Sequence, residues 1–334
     1  MARLTNVRMR SMLLLVQFLT SSGIEFQQPD ELSCEEMRKP SGTDMAVQLA
    51  DICSCDFELG NCTLSVTLEF GHVQIPKEST GLSGELHMLG FNVPGSPGRS
   101  PGPTLRVRAG DTLKVLLKNN MPSELVSTGT GAIPQGSHSF DVVNLHTHGL
   151  HVSPRAPGDD VVNTWVDPGK KHQYIYNIPD DHMGGTHWYH PHWHGAVSMH
   201  VNFGAAGMII IEDAVGQLPE ELNDLEEYIV ATYHVDYDDI DRIVKGYVKT
   251  CKKLHNGTQS CDGVKKCEQS SYDGPACQKC ADPLCEAQAE PFNDTKSPGS
   301  ELLLVNGQHQ PTLSIKAGTW VRLRLGFLAS RDYL

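Results

Sequence analysis

Two short segments of the sequence concentrate histidines at a spacing suited to metal binding. They read Asn-Leu-His-Thr-His-Gly at 144–149 and His-Trp-Tyr-His-Pro-His-Trp-His-Gly at 187–195, and 10 of the 16 histidines lie between His146 and His200. Within them, His146 and His148 are separated by a single residue, and so are His190 and His192. In an extended strand, residues two apart point to the same face, so each pair directs two imidazoles at one point. Neutral imidazole binds copper, zinc or iron, so the pairs predict a metal site.

The alternatives to a metal cluster are a single structural ion and no ion at all. One His-x-His alone would more often be a solvent-facing or core pair, but two pairs, each near a glycine, favour a metal site. A structural zinc normally closes its coordination shell with protein ligands, so a lone zinc ion is the main structural alternative. Two imidazole pairs joined by further ligands suit a cluster of ions better than a single closed ion.

Alternating apolar residues predict the strands that position these histidines. Strands are expected near 64–75, 105–107, 113–117, 142–148, 172–178, 186–190 and 207–212. The turn at Ala109-Gly110-Asp111 predicts that the second and third of these form a strand-turn-strand unit. With 31 Gly, 20 Pro and little helical periodicity, the pattern predicts an all-β fold, a Greek-key β-sandwich or barrel.

The first 23 residues have the features of a secretory signal peptide. Three arginines precede a short apolar run at 12–19, and Thr-Ser-Ser-Gly follows. The run is shorter than the ~20 apolar residues that span a bilayer, so we expect a secreted chain without a membrane span in its mature form. Ten cysteines predict disulfides, and a net charge of −13 argues against a nucleic-acid partner. Asn-x-Thr sequons, which predict glycosylation, occur at Asn61, Asn256 and Asn293.

Composition divides the rest of the chain. The predicted units are a polar, cysteine-containing lead-in at 24–61, a first domain at 62–215 and a partial second domain at 226–334. Within the second domain, residues 251–285 contain six cysteines and show no apolar periodicity. This predicts an insertion held together by disulfides, whose pairing the sequence does not determine. The alternative is a zinc knuckle through Cys277 and Cys280, although no second Cys-x-x-Cys accompanies them.

Four segments carry a family resemblance. In order, they are Asn144-Leu-His-Thr-His-Gly149, the Pro168-Gly169 turn, Tyr174-x-Tyr176-x-Ile178-Pro179 and Gly185-Thr-His-Trp-Tyr-His-Pro-His192. Together they resemble the first domain of the multicopper oxidases of the laccase-like type, which have three cupredoxin domains. The resemblance covers 62–215 and is weaker at 302–307 and 319–325. It implies a cupredoxin-like β-sandwich, with one complete domain and an incomplete second one.

The resemblance also implies roles for individual residues. By position, His146 resembles the ligand of a type 2 copper. The ligands of a type 3 copper pair correspond by resemblance to three further residues, His148, His190 and His192. Together they would form half of a trinuclear copper cluster. Asp159 and Asp160 lie where the family often has an acidic residue, and Asp160 is predicted to relay protons to reduced oxygen; a solvated acidic loop is the alternative. Trp188 and Tyr189 are interpreted as packing residues. The motif fixes no role for His151, His187, His194 and His200.

The implied reaction is the one-electron oxidation of a reducing substrate coupled to reduction of dioxygen to water. In the family, a third domain supplies the remaining cluster ligands and a blue copper bound by two His and a Cys, and no His-Cys-His segment occurs up to Leu334. We therefore expect these residues to bind copper weakly, if at all, and to show no laccase-type turnover alone, unless a partner subunit completes the site. The alternative function is a secreted copper-binding cupredoxin protein without oxidase activity. The sequence does not select phenol, ascorbate or a metal ion as the substrate.

Overall fold

The computed structural model describes residues 23–35, 52–56, 58–96, 98–121, 141–236 and 301–328. The predicted signal segment up to residue 22 and the cysteine-rich segment at 251–285 lie outside these ranges. Both therefore stay predictions.

The described part of the chain is built mainly of strands. Their bounds are β1 Glu31–Ser33, β2 Cys53–Cys55, β3 Cys62–Ile75, β4 Leu86–Asn92, β5 Gly102–Val107, β6 Thr112–Asn119, β7 His146–His148, β8 Lys171–Asn177, β9 Gly185–His190, β10 Gly207–Ile211, β11 Glu226–Asp236, β12 Glu301–Val305, β13 Gln308–His309 and β14 Val321–Phe327. The helices in these ranges are short: α1 Lys77–Thr80, α2 Val197–Asn202 and a 3-10 turn at Glu220–Leu222. None of them has the length and apolar character needed to cross a membrane. The predicted all-β fold is confirmed.

The strands form three sheets around one apolar core. The first sheet has the order β1-β5-β10-β9-β7, and the second has the order β2-β3-β6-β8, with β4 also paired to β3. The third has the order β13-β12-β11-β14. Buried side chains from all three sheets belong to a single contiguous cluster. The strand that carries the first histidine pair, β7, is therefore an edge strand of the first sheet.

β3 shows how the alternating pattern builds the core. Leu64, Val66 and Leu68 are buried between half-exposed neighbours, as period-two alternation requires. The alternation changes phase at Gly71, after which Val73 and Ile75 face the core. Each such side chain contributes roughly 1.5–3 kcal/mol when it is fully removed from water. The strand predicted near 64–75 is thus one continuous element, with the phase change at the glycine.

The predicted strand-turn-strand unit around Ala109-Gly110-Asp111 needs a correction. β5 and β6 flank the turn as predicted, but β5 lies in the first sheet and β6 in the second, so the two strands do not pair with each other. Both strands direct alternate apolar side chains into the same core. The chain therefore crosses from one layer of the sandwich to the other at this turn, which a hydrophobic pattern alone does not distinguish from a hairpin.

The lead-in contributes to both layers of the sandwich. β1 runs parallel to β5, and β2 runs antiparallel to the start of β3. Two disulfides, Cys34–Cys53 and Cys55–Cys62, hold these short strands in place. The described parts of the lead-in thus belong to the sandwich.

The third sheet contains β11 to β14, which overlap the segments of weaker resemblance at 302–307 and 319–325, and it packs on the first sheet. The hydroxyl of Tyr233 on β11 donates a hydrogen bond to the carbonyl of Ala206, at 3.0 Å. Arg324 on β14 is almost fully buried, and its guanidinium contacts Glu227 at 2.6 Å and Asp213 at 3.1 Å. An apolar core and a buried ionic network therefore join the third sheet to the first.

Candidate metal centre

The pairing of β7 with β9 brings the two histidine segments together. In this antiparallel ladder, His146 lies opposite His190, and His148 lies opposite Trp188. Directly opposed residues project from the same face of a sheet, so three imidazoles and one indole share one face of the strand pair. His192 follows two residues after β9 ends.

The four predicted imidazoles lie close together in space. Ring centroids are 5.1 Å apart for His146 and His192, 5.2 Å for His146 and His190, and 5.5 Å for His146 and His148. Those of His148 and His190 are 5.6 Å apart, and those of His190 and His192 are 5.8 Å apart. His146, His148 and His190 each offer a nitrogen within 4.8 Å of the others. The structure thus places all four predicted ligands in one cluster.

One nitrogen pair in the cluster has the separation of two ligands on a single ion. Nδ1 of His148 lies 3.4 Å from Nε2 of His190. Two nitrogens bound at 2.0–2.1 Å to a tetrahedral ion lie about 3.4 Å apart, so this pair fits a shared ion without movement. His148 and His192 are exposed, whereas His190 is buried. The cluster is therefore closed on the side of the core and open on the outer side.

Two of the imidazoles are oriented by acceptors on their Nδ1 atoms. Nδ1 of His146 lies 2.7 Å from a carboxylate oxygen of Asp159, whose other oxygen accepts the backbone N–H of Thr147 at 2.9 Å. Nδ1 of His190 lies 2.8 Å from the carbonyl of Pro191. When Nδ1–H donates to such an acceptor, Nε2 carries the free lone pair, as is usual for metal-bound histidine.

The surroundings favour the neutral form of two clustered imidazoles, those of His148 and His190. Burial lowers the pKa of His190 to about 3; the Pro191 carbonyl opposes this shift, and the neighbouring imidazoles add to it. Burial also lowers the pKa of His148, with further lowering by His146 and His192. Because only the neutral ring has a lone pair for a metal, these shifts keep both residues ready to bind.

Asp160 has a different environment from Asp159. It is 8% exposed, and its carboxylate accepts the backbone N–H groups of Val162 at 3.2 Å and Asn163 at 2.9 Å. These hydrogen bonds, the Asn163 amide first, lower the pKa of Asp160. The carboxylate that contacts a clustered imidazole is that of Asp159, and the sequence did not distinguish between the two neighbours.

Trp188 contacts the cluster directly. Its ring centroid lies 4.1 Å from that of His190 and 5.0 Å from that of His148, with interplanar angles of 25° and 24°. Tyr189 points to the opposite face, where it is fully buried and its hydroxyl donates to the carbonyl of Pro103 at 2.8 Å. The packing interpretation therefore fits Tyr189, while Trp188 also forms a wall of the cluster.

Asn144 is a further residue whose role the sequence did not indicate. Its side chain is fully buried, and its Oδ1 accepts the backbone N–H of His192 at 2.6 Å. Its Nδ2 donates to the carbonyls of Val161 at 3.1 Å and Thr164 at 3.4 Å. The one available signal was a polar residue between apolar neighbours at the approach to a strand.

A second group of histidines lies nearby but is engaged differently. The backbone N–H of His151 donates to Nε2 of His182 at 3.1 Å, and Nδ1 of His182 lies 2.8 Å from the carbonyl of Met183. Both ring nitrogens of His182 are therefore used by the backbone. His187 projects from the face of β9 opposite to His190, and burial lowers its pKa. His200 is fully buried in the core and His194 is exposed.

The donor set fits copper. It consists of several imidazoles, one of them held by a carboxylate, with no thiolate among the described residues of the cluster. Imidazole suits copper and zinc, and a cluster that is open on one side suits ions that react with small molecules better than it suits a closed structural ion. An all-β sandwich with an imidazole cluster at a sheet edge has the features of a cupredoxin-like fold with a candidate metal site.

Comparison with known proteins agrees with this class. A sequence profile of the family described as multicopper oxidase matches residues 137–215. Multicopper oxidase mco of Staphylococcus haemolyticus is 29% identical over 126 residues, which cover 38% of this chain and 22% of that protein. Cell division protein FtsP of a Rahnella species is 26% identical over 227 residues, or 67% of this chain and 34% of that protein.

A solved structure shows the same pattern of partial coverage. A multicopper oxidase from Campylobacter jejuni, described as a metallo-oxidase, aligns with 65% of this chain and 34% of its own, at 21% identity and a TM-score of 0.39. Over residues 137–215, the chain is similar to the multicopper oxidase family. The aligned regions span about a third or less of these relatives' lengths.

Proposed function

We propose that the chain provides four imidazole ligands of a copper cluster in an oxidase that couples one-electron oxidation of a reducing substrate to reduction of dioxygen to water. The observation that carries this proposal is the convergence of His146, His148, His190 and His192, with ring centroids 5.1–5.8 Å apart in the five measured pairs. By family resemblance, His146 would hold the type 2 copper and the other three the type 3 pair, which is half of a trinuclear cluster.

The chain's own residues have separate tasks in this proposal. Asp159 fixes the ring of His146 through Nδ1, and the carbonyl of Pro191 does the same for His190. Trp188 excludes water from one side of His148 and His190. Bound copper would supply the one-electron redox chemistry. Asp160 remains the proposed proton relay, with its carboxylate held in the turn that follows Asp159.

The proposal includes an oxidising compartment outside the cytosol. It is supported by the disulfides Cys34–Cys53 and Cys55–Cys62, because such bonds persist mainly in secreted proteins. The signal-like first 23 residues point the same way. Dioxygen and a reducing substrate of open identity are the proposed small-molecule partners, and a partner subunit that completes the cluster is part of the proposal.

A non-oxidase copper protein is the second candidate. The FtsP protein aligns with 67% of this chain, against 38% for the Staphylococcus oxidase, and it is named for cell division rather than for an oxidase activity. A copper-binding sandwich without turnover is therefore kept as the alternative function. Copper binding without oxygen consumption would support this candidate.

The test separates copper binding from oxidase activity. The full chain is loaded with Cu²⁺, and copper content, electron paramagnetic resonance and oxygen uptake with a phenol are recorded. We expect His190→Ala to abolish most copper binding, while His151→Ala, whose backbone contact to His182 survives, binds as the wild type does. Equal binding by both variants would refute the assignment of the cluster.

A further inference from the structure

We infer that Asn144 is a positioning residue of the candidate copper centre and holds His192 beside the ligands on β7 and β9. This inference rests on the proposed function for the identity of the metal. Asn144 lies two residues before His146, and its Oδ1 accepts the backbone N–H of His192 at 2.6 Å. One buried side chain thus joins the strand of the first pair to the last ligand of the second pair.

The hydrogen bond between Asn144 and His192 lies beyond the end of the backbone pairing between β7 and β9. β7 and β9 pair only through His146, Thr147 and His148, and the ladder ends at His190. His192 lies beyond that end, and its side chain is exposed. Among the described residues, the hydrogen bond to Asn144 is the contact that extends the register of the ladder to His192. Without it, the backbone of His192 loses its hydrogen bond to the segment that carries His146.

The same side chain fixes a third segment. Nδ2 of Asn144 donates to the carbonyls of Val161 and Thr164, at 3.1 and 3.4 Å. These carbonyls flank the turn that follows Asp159, the residue that orients His146. Asn144 therefore satisfies three backbone groups from two different segments, and both segments contact the imidazole cluster.

Burial makes these contacts costly to lose. Asn144 is 0% exposed, and its amide uses both its donors and its acceptor. Leucine has nearly the same shape and no polar atoms, so Asn144→Leu would leave the N–H of His192 without its partner. Groups that orient metal ligands typically change metal affinity by roughly 10–100-fold when they are removed.

Asn119 offers a matched control on the same sandwich. It is 1% exposed, and its Nδ2 donates to the carbonyls of Asp141 and Val166, at 2.6 and 2.8 Å. Its Oδ1 accepts the backbone N–H of Met121 at 3.0 Å. Asn119→Leu therefore removes the same set of hydrogen bonds from a buried site that makes no contact with the four clustered histidines.

The experiment compares the full chain with Asn144→Leu and Asn119→Leu, using Cu²⁺ as the probe. Thermal unfolding and circular dichroism establish folding, amide hydrogen exchange at His192 is followed without copper, and copper affinity is measured by competition with a chelator. We expect both variants to lose thermal stability, but only Asn144→Leu to lose protection of the His192 amide and to bind copper roughly 10–100-fold more weakly. Asn144→Asp, which keeps an acceptor for that amide, should retain its protection.

Three results would overturn the inference. These are an unchanged His192 amide in folded Asn144→Leu, unchanged copper affinity in that variant, and an equal loss of affinity in Asn119→Leu. If Asn144→Leu does not fold, loss of the His192 protection in folded Asn144→Asp would also count against it. A wild-type chain that binds no copper would refute the proposed function, while the exchange measurement would still decide the role of Asn144.

Discussion

The indole of Trp188 and the imidazole of His190 are stacked, with ring centroids 4.1 Å apart at an angle of 25°. The two residues are two positions apart on β9, so both project from the same face. His146 and His148 of β7 project from that face too. An aromatic side chain with a strong optical signal therefore lies against the candidate ligands. This contact makes the cluster observable in the unmodified protein.

We predict that Cu²⁺ quenches the fluorescence of Trp188 when it binds. Bound paramagnetic copper quenches nearby indoles, and Trp188 contacts both His148 and His190. Titration with Cu²⁺ should therefore give a quenching step that is strongly reduced in Trp188→Phe. Trp320→Phe is the control, because Trp320 is 74% exposed on the segment before β14. Equal quenching in Trp188→Phe and the wild type would show that Trp188 is not the indole that the bound ion quenches.

We predict that Asp159 and Asp160 differ in their effect on copper affinity. Asp159→Ala removes the acceptor that orients His146 and should weaken Cu²⁺ binding by roughly 10–100-fold. Asp160→Ala removes hydrogen bonds within the following turn and should change affinity less. Chelator competition at one pH measures both variants. If Asp160→Ala had the larger effect, the present description of the site would be wrong.

We predict that Asp141 makes stability depend on pH. It is 0% exposed, neither carboxylate oxygen has a partner in the described ranges, and burial raises its pKa to about 7. The folded state thus holds this proton more tightly than the unfolded chain does. The stability that this proton contributes to the folded state is fully present below the pKa of the unfolded chain, which is near 4. It is lost as pH rises to about 7.

The measurement is the unfolding temperature of the wild type and Asp141→Asn across this interval. The asparagine carries no charge, so its stability does not fall with this titration. Between pH 4 and pH 7 the free energy of unfolding of the variant should therefore rise relative to that of the wild type, by at most about 4 kcal/mol at the upper end. Above pH 7 the difference should stay constant. A difference that does not vary with pH would show that Asp141 is not the titrating group.

We predict that the buried Arg324 matters far more for stability than an exposed arginine. Arg324→Met removes one buried guanidinium from Glu227 and Asp213, which keep Arg106 and Arg322 as partners, and should cost roughly 1.5–3 kcal/mol. Arg99→Met breaks a pair with Asp30 in which both side chains are about half exposed, and it should cost at most about 1 kcal/mol. Thermal unfolding compares the two. Similar losses would mean that the ionic network between the sheets contributes little.

Much of the fold follows from local patterns. Alternation along β3 and β6 predicts which side chains face inward, because a strand has a fixed period of two. The same pattern does not state which strand is the neighbour. This is why β5 and β6 were predicted as one unit but lie in different sheets. Pairing between distant segments is set by the whole core, and a single strand does not contain that information.

The candidate site shows the same division. The His-x-His spacing predicted the shared face of each pair, and the structure brings the two pairs into one cluster. The hydrogen bond from His192 to Asn144 spans 48 positions of the chain, so it depends on the fold rather than on local spacing. Asp159 and Asp160 are adjacent and chemically identical, and only the path of the loop separates their roles.

β7 is three residues long and lies at the edge of its sheet, with β9 as its neighbour. An edge strand lacks the backbone hydrogen bonds that a second neighbouring strand would supply. An ion shared by His148 and His190 would instead cross-link β7 to β9 through side chains. The loop at 149–165 follows β7 directly in the chain. Removal of metal should thus first expose this loop to proteases, with the interior of the sandwich still intact, so that a cleavage pattern reports metal status long before global unfolding does.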